Sequence, residues 1–354
     1  MAKFHKLKVE DVRKETADCV SVAFDIPSSL KEEYKFLQGQ YLTLKLFVKG
    51  EEVRRSYSIC SSPLESEVRV AVKKVAGGKG SNFVNDTLKP GNEIEVMTPM
   101  GGFHSPMNAV NKKTYNLFAG GSGITPMFSI IKTVLQAEPN SSLILFYGNL
   151  NEEATIFKKQ LDELAQKNAS RFKLHYIFDK PASAVEELYK GIISKEKAKA
   201  LAEKHFSASA DNLFFICGPK PMMDNVRETL EDKKIEKARI HIEYFTSAID
   251  APDKTVSASD KITSKVTVVQ YGTETSFDLS STGKSILDAA IDAGVDAPFA
   301  CKGAVCATCR GKILEGKVHM NKNFALTDSE VAEGFILTCQ SHPLTPVVKV
   351  DYDV

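Results

Sequence analysis

The sequence predicts a multidomain chain with three folded parts in series: an antiparallel β-barrel, an α/β domain built on a parallel sheet, and a small α+β domain. Three observations carry that reading. Up to about residue 105 the apolar residues recur with period two in short runs broken by turn residues, as in antiparallel strands. From Tyr115 short buried runs alternate with helical segments, which implies a parallel sheet covered by helices. Between Ser247 and Ile262 the periodicity stops and the composition is that of a linker, so a further domain begins after it. At about 100 to 200 residues per domain, 354 residues make two or three domains. The boundaries are expected at 1–107, 108–247 and 263–354, with 248–262 as the linker.

In order along the chain, Met1 to Val9 alternates polar and apolar residues and reads as a first strand. Cys19 to Phe24, Tyr41 to Phe47, Arg55 to Ile59, Glu67 to Val75 and Glu93 to Met97 supply the other barrel strands, with a helical stretch at Phe83 to Leu88. The parallel strands are Tyr115 to Phe118, Leu143 to Tyr147, Phe172 to Phe178, Leu213 to Cys217 and Arg239 to Ile242. Between them a helix ends near Gln136, and another keeps Ile156, Phe157, Leu161 and Leu164 on one apolar face. In the last domain Lys265 to Gln270 and Thr275 to Leu279 form a hairpin around Tyr271-Gly272-Thr273. Ser285, with Asp288 three residues on, opens a helix that Gly294 should end.

Composition excludes several function classes. With 46 Lys and Arg against 45 Asp and Glu there is no bulk charge to hold nucleic acid or an anionic membrane. The 43% hydrophobic and 26% charged content is that of a folded, water-soluble chain. The uncharged stretch Tyr115 to Ile131 is shorter than a membrane span and contains Gly120, Gly121, Gly123 and Pro126. The N-terminal segment lacks the apolar core of a signal peptide, so a cytoplasmic location is expected. From Thr263 onward 8 Lys and Arg face 11 Asp and Glu, a net of −3 that leaves +4 on the rest of the chain.

Cys301, Cys306 and Cys309, followed by Cys339, have the C-x4-C-x2-C plus distant Cys spacing of a plant-type [2Fe-2S] site. Gly303, Ala304 and Ala307 keep the intervening loop compact, so that its amides can reach the sulfurs. Two other readings stay open. Cys306, Cys309, Cys339 and His342 have the spacing of a Cys3His zinc site, which would leave Cys301 idle, and buried free thiols also occur simply as small hydrophobes.

Two further motifs point to nucleotide cofactors. On a strand, Arg55 and Tyr57 project to one face and Ser56 and Ser58 to the other, which suits either a cofactor or a plain half-exposed sheet. Gly77-Gly78-Lys79-Gly80-Ser81-Asn82 leads into a helix, where free amides favour phosphate. Gly120-Gly121-Ser122-Gly123-Ile124-Thr125-Pro126 follows a strand and precedes a helix: the glycines admit a pyrophosphate, Thr125 can cap, and Pro126 suits the first turn. Pro126 replaces the third glycine of the G-x-G-x-x-G fingerprint.

In this order, and with Gly39-Gln40-Tyr41-Leu42-Thr43-Leu44, Cys217-Gly218-Pro219 and Met222-Met223-Asp224, the motifs resemble the ferredoxin-NADP reductase superfamily carrying a C-terminal plant-type ferredoxin domain. The likeness runs over essentially the whole chain. It implies an FAD-binding antiparallel β-barrel, an NAD(P)-binding α/β parallel-sheet domain and an α+β ferredoxin-like (β-grasp) domain. By resemblance, Arg55 pairs with the flavin pyrophosphate, Tyr57 packs on the isoalloxazine and Ser58 hydrogen-bonds near N5, with Ser56, Lys73, Gly80 and Ser81 completing the flavin set. Gly121, Gly123 and Thr125 line the nicotinamide cleft, Cys217 lies near the nicotinamide ring with Ser58 as its catalytic companion, and Phe245 lies close to the flavin. From the residues alone, Cys217 and Phe245 equally suit core packing. Family members commonly carry Arg after Tyr-Gly-Asn to grip the NADPH 2′-phosphate. Here Tyr147-Gly148-Asn149 is followed by Leu150, with Lys158 or Lys159 as substitutes, so NADPH and NADH both stay open.

The implied activity is electron transfer from NADPH or NADH through FAD and a [2Fe-2S] cluster. The flavin converts the hydride pair into single electrons for the cluster. The implied acceptor is an oxygenase component, first a diiron monooxygenase acting on an aryl-CoA thioester and second a ring-hydroxylating or other oxygenase. A soluble diaphorase or flavin reductase would leave the ferredoxin domain without a purpose, and a redox-inert adaptor would not need Arg55, Tyr57, Ser58 and all four cysteines.

Overall fold

A computed structural model describes residues 3–206, 211–245 and 261–354; the expected linker, apart from 261 and 262, lies outside them. The chain divides into two compact units, one of 4–53 and 57–243, the other of 244–354 together with 54–56 and the N-terminal residues. The barrel and the parallel-sheet domain therefore share one unit.

In the larger unit, β1 (Phe4–Thr16), β2 (Cys19–Asp25), β3 (Tyr41–Val48), β4 (Glu51–Ser58), β5 (Val68–Lys73) and β6 (Glu93–Met97) form one sheet in the order β4-β3-β6-β1-β2-β5. An antiparallel bridge between Ile59 and Val70 links its two ends and curls it into a barrel. Register shifts at Val9/Asp11 and Lys14/Thr16 supply the bends that such curling requires. Leu7, Val9, Val22, Phe24, Leu42, Leu44, Leu46, Val70, Val72 and Val96 fill the interior. Helix α1 (Lys79–Asp86) starts four residues before the expected Phe83.

The second sheet has the order β11-β10-β7-β8-β9, all parallel, with β7 (Thr114–Gly120), β8 (Ser142–Asn149), β9 (Phe172–Phe178), β10 (Asn212–Cys217) and β11 (Ile240–Glu243). Helices α2 (Ile124–Ala137), α3 (Lys158–Lys167), α4 (Lys195–His205) and α5 (Lys220–Asp232) connect the strands. The chain runs outward from β7 to β9 and then returns to the other side of β7. The order reverses between β7 and β10, and ligands of open α/β sheets bind at the carboxyl ends of strands at such a reversal. No helix among the described residues is long and apolar enough to cross a membrane.

Barrel and sheet are joined by buried polar contacts: Ser129 Oγ donates to Ser61 O at 2.7 Å, and the Ser62 and Thr133 hydroxyls lie 2.8 Å apart. At the entry to the sheet domain the fully buried Glu138 accepts from Tyr115 Oη (3.0 Å), Ser141 Oγ (2.7 Å), Asn111 Nδ2 (2.5 Å) and Asn108 N (3.1 Å). Glu138→Ala orphans these donors and is expected to destabilise the protein by about 3 kcal/mol. A denaturant-midpoint shift worth less than about 1 kcal/mol would show that water replaces the carboxylate.

In the smaller unit, β12 (Thr263–Gln270), β13 (Thr273–Ser280), β14 (Arg310–Glu315), β16 (Phe335–Leu337) and β18 (Val347–Asp351) form a mixed sheet ordered β13-β12-β18-β14-β16, beside a ribbon of β15 (Val318–Met320) and β17 (Ser341–Pro343). Helix α6 (Ile286–Asp292) buries Ile286, Leu287, Ala289 and Ala290 in a core with Val266, Val268, Val348 and Val350, the expected β-grasp arrangement. Its local signals behave as read. Tyr271 and Gly272 turn the hairpin at φ 50° and 70°, Ser285 Oγ accepts from Asp288 N at 3.2 Å, and Gly294 ends the helix at φ 85°.

Candidate cofactor sites

The four expected metal ligands gather in the smaller unit. Between α6 and β14 the backbone turns left-handed at Lys302 (φ 50°), Ala304 (66°) and Ala307 (52°), conformations that non-glycine residues rarely adopt. Alternation of hand turns successive amides inward, as in anion-binding nests. Gly303 N donates to Cys301 Sγ at 3.3 Å, and the amides of Val305 and Cys306 point at the same sulfur. The Ala304 amide and Gln340 Nε2, at 3.7 Å, reach Cys339 Sγ. Thr338 Oγ1 donates to Cys309 O at 2.9 Å and accepts from Tyr352 Oη at 2.9 Å, which fixes the backbone at two of the cysteines.

The sulfurs fall into two pairs, Cys306 with Cys301 and Cys309 with Cys339. The Cys306 thiol, donating to Cys301, and the loop amides hold the Cys301 sulfur below the ordinary thiol range. Cys309 does the same for Cys339. The donors, bonded and buried, are pushed up. Four gathered cysteine sulfurs with loop amides directed at them are the donor set a [2Fe-2S] cluster would take. His342, which the zinc reading would need beside them, stands on the ribbon with its Nε2 3.2 Å from Asn321 Nδ2.

Along β4 burial rises from the exposed Arg55 through Ser56 and Tyr57 to the buried Ser58, a gradient in place of the expected alternation. Arg55 Nη1 donates to Arg54 O at 2.7 Å. Tyr57 packs at the edge of the barrel core. Lys73, the last residue of β5, lies 3.5 Å from Asp18 Oδ2. Gly80 and Ser81 are buried in the first turn of α1, where Ser81 Oγ accepts from Val75 N at 3.1 Å and ties the glycine loop to the helix. Phe245 is 41% exposed, so the core reading of that residue fails.

Ser58 Oγ donates to Glu243 Oε2 at 3.1 Å. Glu243 ends β11 directly beside Cys217, the last residue of β10. Burial pushes the Glu243 carboxyl up to about 8, against the opposing pull of the Ser58 bond. Burial, reinforced by the Glu243 charge, pushes the Cys217 thiol up. The structure thus brings Ser58 and Cys217 to one carboxylate that sequence reasoning passed over. Its only signal was an acid ending a strand at the carboxyl edge of the sheet.

The glycine loop after β7 meets the Cys217-Gly218-Pro219 turn closely. A Cβ on Gly123 would lie 2.1 Å from Cys217 O, and one on Gly120 would lie 2.5 Å from Pro219 Cδ. These two glycines serve loop-to-loop packing, while Gly121, at φ 52° with nothing within 4 Å, keeps the open position. Thr125 does not cap: Gly123 occupies the N-cap, and Thr125 Oγ1 donates back to Ser122 O at 3.0 Å from inside the first turn, because the glycine loop winds directly into the helix. Leu150 is exposed. Lys158 is tied to Asp162 Oδ2 at 2.8 Å and Lys159 stands 4.0 Å from Glu163. Lys180, whose amide donates to Leu150 O at 2.7 Å, makes no ion pair among the described residues.

Comparison with known proteins gives these sites their context. Residues 6–105 match the oxidoreductase FAD-binding domain, 117–228 the oxidoreductase NAD-binding domain and 268–344 the 2Fe-2S iron-sulfur cluster binding domain. The chain is 41% identical to a component of the 1,2-phenylacetyl-CoA epoxidase of Escherichia coli (strain K12), over 100% of this chain and 99% of that protein. It is 31% identical to the ferredoxin reductase component of 3-ketosteroid-9-alpha-monooxygenase of Rhodococcus rhodochrous, over 98% of this chain and 96% of that one. Phthalate dioxygenase reductase, described as a modular structure for electron transfer from pyridine nucleotides to [2Fe-2S], superposes with a TM-score of 0.58 at 25% identity, covering 98% of both chains. The chain belongs to this family of oxygenase reductases, which use FAD-binding, nicotinamide-binding and [2Fe-2S] domains to pass electrons from NAD(P)H to an oxygenase.

Proposed function

We propose that this reductase serves a diiron monooxygenase that acts on an aryl-CoA thioester such as phenylacetyl-CoA, with a ring-hydroxylating oxygenase as the second choice. The observation that carries this is the 41% identity to the epoxidase component, over the full length of both chains. The protein works in the cytoplasm as three domains, 1–107, 108–247 and 263–354. The test is to combine it with the diiron oxygenase, NAD(P)H, oxygen and phenylacetyl-CoA and to follow the epoxide. Efficient coupling to a different oxygenase, with no CoA-dependent product here, contradicts the partner assignment and leaves the electron route standing.

When bound, the flavin takes a hydride from the nicotinamide and the cluster takes electrons one at a time. The residues have these parts. Arg55 would pair with the flavin pyrophosphate and Ser81 would hold phosphate, Tyr57 would pack on the ring and Ser58 would bond near N5, with Ser56, Lys73 and Gly80 in the flavin-binding set and Phe245 close to the flavin. Gly121, Gly123 and Thr125 shape the coenzyme cleft, and Cys217 places the nicotinamide. Cys301, Cys306, Cys309 and Cys339 ligate the cluster. Lys158 or Lys159, paired on α3 with Asp162 and Glu163, would take the place of the family Arg toward a 2′-phosphate if NADPH is the donor.

Glu243 holds a proton that Ser58 can exchange with the flavin edge. Its folded pKa of about 8 lies above the ordinary 4.5, so the folded state binds the extra proton between these values and loses stability as pH rises through that window. Glu243→Gln is therefore expected to match wild type in thermal stability at pH 5, exceed it at pH 8, and lose the alkaline limb near 8 from its pH–rate profile. An unchanged limb in the variant would show that another group titrates there.

A further inference from the structure

One side chain lies against both of the loops that follow β7 and β10. Gly120 ends β7 and Gly218 follows β10, and their backbones approach so closely that a Cβ on Gly218 would lie 2.8 Å from Gly120 N. Into this seam comes Met222, from the first turn of α5. A Cβ on Gly120 would stand 3.0 Å from Met222 Sδ, and one on Gly218 would stand 2.7 Å from Met222 Cε. The thioether thus touches both glycine backbones at once and is almost wholly buried. Methionine suits such a gap, being unbranched and able to follow an irregular channel between two backbones. Cys217, one residue from Gly218, is bound to the same arrangement through the contact of its carbonyl with Gly123.

The geometry points to Met222 as a positioning residue for hydride transfer, a wedge that sets the gap between the loops ending at Gly120 and beginning at Gly218 and thereby the place of Cys217. The inference rests on the reading that the nicotinamide lies at these loops. Coenzyme affinity is spread over the whole dinucleotide, whereas the hydride step needs its atoms placed to within a fraction of an ångström, and a 1 Å misplacement can cost roughly 100-fold. Narrowing the wedge therefore acts on kcat and spares KM.

The test uses the full-length, cofactor-loaded protein and two readouts: kcat and KM for NAD(P)H with ferricyanide as acceptor, and the rate at which iodoacetamide alkylates Cys217 without coenzyme, located by mass spectrometry. Met222→Ala is expected to lower kcat about 10- to 100-fold, keep KM within about threefold, and speed alkylation of the buried Cys217 about tenfold or more. Met222→Leu, which conserves volume, is expected to stay within about threefold of wild type on every measure. Met222→Val, a smaller truncation, repeats the test if the alanine variant folds poorly. A rise in KM with kcat unchanged, or a fall in kcat with Cys217 as protected as before, overturns the proposal. Failure of wild type to reduce its flavin with either nicotinamide would instead overturn the coenzyme reading beneath it, and the alkylation rates would still judge the wedge.

Discussion

Cys306→Ser is expected to abolish electron delivery to one-electron protein acceptors while leaving flavin reduction intact. Cys306 pairs with Cys301 across the amide-lined loop, and a serine hydroxyl is a far poorer iron ligand than a thiolate at that place. Cytochrome c reduction should fall on the order of 100-fold or more, since disturbing even outer partners of a metal site costs about 10- to 100-fold. Ferricyanide reduction, which the flavin can serve directly, should stay within about twofold, because Ser58, Cys217 and Glu243 all belong to the other compact unit. Measured side by side, a joint collapse of both activities with flavin still bound would show that the two units do not work as separable modules.

Gly123→Ala is the second large effect. Gly123 has φ −62° and ψ −7°, open to any residue, so backbone freedom is not why glycine stands there. Space is the reason: the new methyl would fall 2.1 Å from Cys217 O and 2.4 Å from its carbonyl carbon, both backbone atoms that cannot rotate away. The loop must part from β10, which costs about 1 to 3 kcal/mol of stability and should slow NAD(P)H-dependent flavin reduction about 100-fold. Gly121→Ala is the contrast, since nothing lies within 4 Å and only its positive φ is strained. That variant should lose on the order of 1 kcal/mol of stability, with no parting of the loop from β10. A Gly123→Ala enzyme within about threefold of wild type would mean that the close approach is absent from the working protein.

Much of this was legible in the sequence because the signals were local. Period-two runs placed the barrel strands, short buried runs alternating with helical faces placed the parallel sheet, and Ser285, Gly272 and Gly294 marked a cap, a turn and a stop that the structure reproduces. Cysteine spacing pointed to the cluster. What it could not show was how the sulfurs divide, since the pairs Cys301 with Cys306 and Cys309 with Cys339 arise from left-handed turns at three non-glycine residues. Glu243 was invisible for a related reason: its meaning comes from standing beside Cys217 and reaching Ser58, 185 residues away in the chain. The glycines after β7 were read for one reason, and the structure adds another. Gly121 stands at a positive φ with open space about it, whereas Gly120 and Gly123 answer to a turn almost 100 residues downstream. The expected cap at Thr125 failed because the loop enters the helix without an extended residue to carry it.

The most direct test of the account is an anaerobic titration of the purified protein with NAD(P)H and then dithionite, following flavin absorbance and the paramagnetic signal of a reduced [2Fe-2S] cluster together. Two electrons on the flavin and one on the cluster make about three electron equivalents per chain, with NAD(P)H alone sufficient to bring out the cluster signal. Uptake of about two equivalents, with the flavin bleached and no cluster signal at any point, would contradict the claim that electrons pass from nicotinamide through flavin to iron and sulfur.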